Sequence, residues 1–206
     1  MNALIILDLQ NDFTPGGSLA IEKGDTIIQV VNSLQDHFDL VVATQDWHPG
    51  NHRSFASNNP GKNPFDTIEI NGLSDTLWPD HCVQGSAGAD FHPGLKTKNI
   101  AAIFRKGMDP GTDSYSGFYD NDHKTSTGLA GYLKAKNVKE VFFCGLAGDI
   151  CVYYSVKDSV KEGFDTTLIE DAAMPLNMQN YTILKKELSE MGVSIIKSEK
   201  ILNKSK

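Results

Sequence analysis

The chain has 206 residues, of which 40% are hydrophobic and 22% are charged, and its formal net charge at pH 7 is −7. This length suits one buried core rather than two domains, and an acidic chain without blocks of lysine or arginine argues against nucleic-acid and membrane-surface partners. The first apolar run ends after five residues at Asp8, too early for a signal peptide or a membrane span, so we expect a cytoplasmic protein that acts on a small molecule.

Short apolar runs alternate with longer segments of helical periodicity along the chain. The runs predict strands buried on both faces: ALIIL (3–7), LVVAT (40–44), IAAIF (100–104), VFFCG (141–145), TTLIE (166–170) and VSII (193–196). The periodic segments predict helices over 25–38, 126–137, 149–163 and 180–192. We therefore predict one α/β domain over 1–206, a three-layer α/β/α arrangement around a six-stranded, mostly parallel sheet.

One long segment, from about residue 45 to about residue 99, interrupts this alternation. It is rich in Pro, Gly, Asn and Asp and carries four of the six histidines. Connections of this length are usually functional or disordered, and the aromatic and histidine content argues against disorder. The sequence therefore predicts an active-site insertion here.

Chemically useful side chains follow four of the predicted strands. Asp8 follows the first strand, Asp46 and His48 the second, Lys106 the third, and Cys151 the turn after the fourth. Ligands of open parallel sheets bind outside the carboxyl ends of the strands, where these residues would meet. The placement favours one site over a set of unrelated polar loops.

Cys151 is the candidate nucleophile among the three cysteines. It follows a turn of small residues at the start of a predicted helix, a position expected to lower the thiol pKa. Asp8 and Lys106 would act as its base and its cationic partner, and the alternatives are a buried structural cysteine and a structural ion pair. Cys82 lacks a helix N-terminus and ranks below Cys151, and Cys144 lies inside a predicted strand.

A second group of residues has the composition of a metal site. Asp46, His48 and His52 form the pattern D-x-H-x-x-x-H, and His81 lies in the same long segment. One carboxylate with two or three imidazoles suits Zn(II), Fe(II) or Mn(II), whereas a single loop histidine is usually solvated. The direction of His52 cannot be predicted, because Pro49-Gly50 precedes it.

Five segments together resemble the signature blocks of nicotinamidases, which belong to the isochorismatase-like cysteine hydrolases. These segments are ALIILDLQNDFTPGGSLA, QDWHPGNHRSFAS, WPDHCVQGSAGADFHPGL, FRKGMDPGTDSYSGF and GLAGDICV, in this order from residue 3 to about residue 152. The resemblance implies the isochorismatase-like hydrolase fold and hydrolysis of nicotinamide to nicotinate and ammonia. A pocket built for a pyridine ring would also be expected to accept pyrazinamide.

The resemblance further assigns roles to residues. It implies a catalytic triad of Asp8, Lys106 and Cys151, and a cis peptide bond between Leu146 and Ala147. In the mechanism that we expect, Cys151 forms a thioester, and the backbone N–H groups of Ala147 and Cys151 bind the developing oxyanion.

The remaining implied residues bind the metal and the substrate ring. Asp46, His48 and His81 are implied ligands of one divalent cation, and His52 is a ligand in some members only. We expect zinc, with iron and manganese as alternatives. Aromatic residues implied to enclose the pyridine ring are Phe13, Trp78 and Tyr115.

Three other functions remain open at this point. The chain could be another hydrolase of the superfamily, acting on isochorismate or on an N-carbamoyl amide, although these enzymes lack the full metal cluster. It could use a metal-bound hydroxide, with Cys151 as a bystander, or bind metal without catalysis. A homo-oligomer is compatible with the sequence.

Overall fold

The computed structural model describes residues 1–70 and 73–203. Its strands are, in chain order, β1 (Asn2–Leu7), β2 (Leu40–Asp46), β3 (Thr67–Ile70), β4 (Leu73–Thr76), β5 (Ala102–Lys106), β6 (Glu140–Leu146), β7 (Asp165–Met174) and β8 (Ser194–Ile196). Within the described residues, six of them form one parallel sheet in the order β5-β2-β1-β6-β7-β8. The predicted six-stranded sheet is confirmed.

Helices cover both faces of this sheet. They are α1 (Ile28–Leu34), α2 (Leu129–Ala135), α3 (Tyr153–Lys161), α4 (Met178–Glu190) and α5 (Glu199–Leu202). Alternate residues of β1 point to opposite faces, so Ile5 and Leu7 pack with α2, α3 and α4, while Leu4 and Ile6 pack with α1. The two resulting apolar clusters make the three-layer α/β/α architecture that the sequence predicts.

Two predicted helices begin or end differently from the simple periodic pattern. The segment predicted as 25–38 consists of a 3-10 turn at Gly24–Ile27, the α-helix α1 and another 3-10 turn at Gln35–His37. The segment predicted as 149–163 opens with a π-helical turn at Gly148–Val152 before α3 begins. That turn matters for the site, because it contains Cys151.

The long connection between β2 and β5 contains secondary structure that the sequence analysis missed. Strands β3 and β4 pair antiparallel with each other, outside the main sheet. Their segments, TIEI and LSDT, are short and carry charged residues, so they lack the apolar signal used to predict strands.

Within residues 1–70 and 73–203, no helix combines the length and apolar character that a membrane crossing requires.

Candidate active site

Lys106, the last residue of β5, lies at the centre of the site. Its ammonium donates to Asp46 Oδ1 at 2.8 Å and to the Ser114 carbonyl at 2.9 Å, and it lies 3.2 Å from Asp8 Oδ2. Cys151 Sγ is 3.6 Å from the same nitrogen. Burial disfavours the charged ammonium, but the adjacent carboxylates of Asp46 and Asp8 raise the pKa of Lys106 well above its usual value. The structure thus brings all three residues predicted as a triad to one point.

Asp8 follows β1 and is fully buried beside this ammonium. Thr44 donates its hydroxyl to Asp8 Oδ1 at 2.6 Å, whereas Oδ2 accepts no hydrogen bond from the described residues. Burial raises the pKa of Asp8, and Lys106 and Thr44 partly oppose this increase. One carboxylate oxygen is therefore held by Thr44, and the other is available to take a proton.

Cys151 lies at the predicted position but has a different acidity from the one expected. Burial raises the pKa of its thiol well above the usual value; Lys106 lowers that pKa, and the charges of Asp8 and Asp46 raise it further. The expectation that the start of the helix would favour a thiolate is wrong for this arrangement, because burial and two neighbouring carboxylates outweigh the favourable groups. A neutral thiol must lose its proton to a base before the sulfur can act as a nucleophile.

The turn between β6 and α3 brings backbone groups next to this thiol. The Leu146–Ala147 peptide bond is cis, as the resemblance implied. Ala147 and Cys151 both line the same pocket and are both buried. The backbone N–H groups predicted to bind an oxyanion therefore belong to residues on the pocket wall.

Asp46, His48 and His81 form a buried cluster in that pocket. Their potential ligand atoms lie within 4.8 Å of one another, with His48 Nε2 3.3 Å and His81 Nε2 3.5 Å from Asp46 Oδ2. The other ring nitrogen of each histidine faces a carbonyl, Gly107 for His48 and Pro79 for His81, at 2.9 and 2.8 Å. A carbonyl can only accept, so each Nδ1 carries a proton, and Nε2 of the neutral ring is the nitrogen that could ligate a cation beside the carboxylate. This set of three donors fits a divalent cation.

His52 lies beside this cluster but uses its ring differently. Its Nδ1 accepts a hydrogen bond from the backbone N–H of Ser54 at 3.3 Å and lies 2.7 Å from the Ser54 hydroxyl. Nε2 therefore carries the proton and faces the Thr112 carbonyl at 3.4 Å. Both ring nitrogens of His52 are thus engaged, and it groups with His48 and Asp113 rather than with Asp46 and His81.

Aromatic and aliphatic side chains form the remaining walls of the pocket. The three aromatic residues predicted to enclose a ring all line it together with Cys151 and the metal cluster: Phe13, Trp78 and Tyr115. The Phe13 ring lies 5.5 Å from that of His81. Apolar residues that the sequence analysis missed complete the wall, namely Leu19, Ile21, Ile150 and Leu176.

Gln10 and Thr44 are two further site residues that the sequence analysis missed. The side-chain amide of Gln10 pairs with the backbone of Asp46, accepting from its N–H and donating to its carbonyl, both at 2.8 Å. Gln10 lies two residues after Asp8, and Thr44 is a polar residue at the end of an apolar run; both positions were signals available in the sequence.

Comparisons with known proteins identify the family and similar structures. The model of the isochorismatase domain family matches residues 2–200. A nicotinamidase of Acinetobacter baylyi is 46% identical over 201 residues, which cover 97% of this chain and 94% of that relative. The solved structure of a nicotinamidase and pyrazinamidase of Acinetobacter baumanii has a TM-score of 0.94 at 46% identity and covers 97% of both chains. A pyrazinamidase of Pyrococcus horikoshii in complex with zinc has a TM-score of 0.79 at 34% identity, over 95% of this chain and 98% of that chain.

Proposed function

This chain belongs to the isochorismatase domain family, and we propose that it is a metal-dependent cysteine amidohydrolase that converts nicotinamide to nicotinate and ammonia. The observation that carries the proposal is the convergence on Lys106 of a nucleophile, a base and a metal-binding carboxylate. Cys151, Asp8 and Asp46 all lie within 3.6 Å of its ammonium nitrogen.

In the first half of the proposed reaction, Cys151 is acylated. Asp8 takes the thiol proton through its available oxygen, and the sulfur attacks the carboxamide carbon. The backbone N–H groups of Ala147 and Cys151 bind the oxyanion that develops. When the tetrahedral intermediate collapses, the C–N bond breaks, Asp8 returns its proton to the nitrogen, and ammonia leaves.

In the second half, water hydrolyses the thioester. Asp8 is again ionised and takes a proton from the attacking water, and the C–S bond then breaks to release nicotinic acid, which loses its proton to solvent and becomes nicotinate. The sulfur recovers its proton from Asp8. Lys106 stabilises the ionised forms of Asp8 and of the sulfur in a buried site.

Asp46, His48 and His81 are the residues that would hold the cation, with zinc as the proposed ion. When bound, the ion offers a Lewis-acid contact for the ring nitrogen of the substrate, and so orients the carboxamide. We leave His52 out of the proposed ligand set, since both of its ring nitrogens are already engaged.

Phe13, Trp78 and Tyr115 are proposed to enclose the ring. An aromatic wall discriminates weakly between ring analogues, so pyrazinamide is proposed as a second substrate. The cytoplasmic location and the homo-oligomer stay predictions.

The test is ammonia release from nicotinamide by the purified protein. We expect turnover by the metal-loaded protein, a loss of at least about 10⁴-fold in Cys151→Ala, and a loss on chelation that zinc restores. Full activity in Cys151→Ala would indicate a metal-hydroxide mechanism. An inactive metal-loaded protein would contradict the proposed function.

A further inference from the structure

A buried carboxylate lies directly behind the aromatic wall of the pocket. Asp75, on β4, accepts hydrogen bonds on Oδ1 from the Tyr115 hydroxyl and, at 2.9 Å, from the Thr76 backbone N–H. Tyr115 lines the pocket that contains Cys151, whereas Asp75 lies in the adjacent cleft. Asp75 therefore contacts the wall from the side opposite to the substrate.

The hydrogen bonds between these side chains run in one direction. Trp78 Nε1 donates to the Tyr115 oxygen at 3.3 Å, and the Tyr115 hydroxyl donates to Asp75. An indole nitrogen can only donate, and an ionised carboxylate can only accept, so the order of the three groups is fixed. The indole N–H of Trp78 and the hydroxyl proton of Tyr115 are both used in this chain of hydrogen bonds, and each hydrogen bond restrains the orientation of a ring.

We infer that Asp75 is a positioning residue, which holds Tyr115 and, through it, Trp78 in the orientation that binds the substrate ring. This inference rests on the proposed function of the pocket. Asp75 touches neither the thiol nor the metal cluster, so its contribution is to substrate binding rather than to the chemical steps.

The antiparallel pair of β3 and β4 explains how Asp75 reaches this position. Asp75 is paired with Ile68 of β3, which fixes the backbone that carries the carboxylate. Tyr115 is held independently, because its N–H donates to Asn121 Oδ1 at 2.9 Å and the Tyr154 ring packs 5.5 Å away. The small sheet thus supplies an anchor to a side chain that comes from a different part of the chain.

The test compares Asp75→Ala, which removes the acceptor, with Asp75→Asn, which keeps a neutral acceptor of the same shape. We expect KM for nicotinamide to rise about tenfold in Asp75→Ala with kcat within about twofold, and KM to rise less than about threefold in Asp75→Asn. Calorimetric binding of nicotinate to the metal-loaded protein is expected to weaken by the same factors, and this readout does not depend on turnover.

Two further variants separate positioning from a general loss of structure. Asp158→Ala removes a buried carboxylate that lines the same cleft but binds Lys161, and it is expected to leave KM unchanged. In a Tyr115→Phe background, Asp75→Ala is expected to change KM by less than about twofold, because the hydroxyl through which it acts is gone.

An unchanged KM and nicotinate affinity in Asp75→Ala would overturn the inference, and so would the full effect persisting in the Tyr115→Phe background. Either result, with a wild-type protein that releases ammonia, leaves the proposed function standing. A wild-type protein that neither turns over nicotinamide nor binds nicotinate would overturn both.

Discussion

Asp8 and Cys151 exchange a proton in the proposed reaction, so the acidities of these two side chains decide at which pH the site works. Burial raises the pKa of both groups above the usual values. A higher pKa makes Asp8 a stronger base, which partly compensates for the weaker acidity of the thiol. Both pKa values are raised because both side chains are buried in the same pocket, and Lys106 opposes the increase for each of them.

The pH dependence of kcat/KM should report the acidity of Asp8. Protonated Asp8 cannot take the thiol proton, so activity should fall as the pH decreases through its pKa, and that pKa should lie above the usual 3.8. Protonation of the metal ligands would also reduce activity, but that loss shifts to lower pH when more zinc is added. We expect part of the activity loss on the acid side to have a midpoint pH that does not change with the zinc concentration. If the midpoint of the whole loss shifted with the zinc concentration, the assignment of Asp8 as the base would be contradicted.

At the residue scale, the positions of the site residues could be predicted from the sequence, but their protonation and tautomeric states could not. Asp8, Lys106 and Cys151 could be placed together because each lies at the carboxyl end of a parallel strand or shortly after it. The acidity of Cys151 could not be predicted, since it depends on burial and on the distance to two carboxylates. The tautomer of His52 likewise depends on the Ser54 backbone, which no residue pattern specifies.

At the scale of elements, the site requires β1 and β6 to approach closely where they end. Leu7 of β1 pairs with Gly145 of β6, one residue before Asp8 and six before Cys151. A Cβ at Gly145 would lie 2.1 Å from the Leu7 carbonyl oxygen, and Gly145 has a φ of +119°. Only glycine satisfies both conditions, so the spacing between base and nucleophile depends on this residue.

Gly145→Ala should therefore destabilise the protein by about 3 kcal/mol or more, from the clash and the unfavourable φ together. The matched control is Gly131→Ala, which adds the same methyl group to α2 at an exposed position with no atom within 4 Å. That variant should be stabilised by about 0.5–1 kcal/mol, because alanine favours helix. Urea unfolding measures both changes, and similar free energies for the two variants would show that the close approach is not required.

Prediction of the elements succeeded where burial imposes a pattern on the sequence. Strands β1, β2 and β6 are buried along most of their length because helices cover both faces of the sheet there, and this made them recognisable. The expectation of burial on both faces is wrong for the edge strand β5, where Ile103 and Arg105 are exposed. Strands β3 and β4 were missed because, among residues 1–70 and 73–203, they pair only with each other, and because they contain polar residues such as Asp75. The π-helical turn at Gly148–Val152 has no sequence pattern that separates it from an ordinary first turn.

At the scale of the whole molecule, the metal cluster joins parts of the chain that secondary structure alone does not connect. Asp46 ends a strand of the main sheet, whereas His81 belongs to the long connection that leaves and returns to that sheet. Lys106 then links Asp46 to Asp8 and Cys151. Binding of a cation would therefore hold the long connection against the sheet in the folded state only, since the unfolded chain does not assemble these ligands.

Zinc should accordingly raise the thermal stability of the whole protein. At a free zinc concentration 100 times the Kd, the gain is about 2.7 kcal/mol, which corresponds to an increase of about 5–10 °C in Tm for a domain of this size. His81→Ala should abolish the increase because it removes a ligand, and His52→Ala should retain it, because both ring nitrogens of His52 are engaged elsewhere. Scanning calorimetry with and without chelator measures the shift in all three proteins. Loss of the zinc-dependent shift in His52→Ala would place His52 among the ligands, and a shift that persists in His81→Ala would mean that the cation binds at a different set of residues.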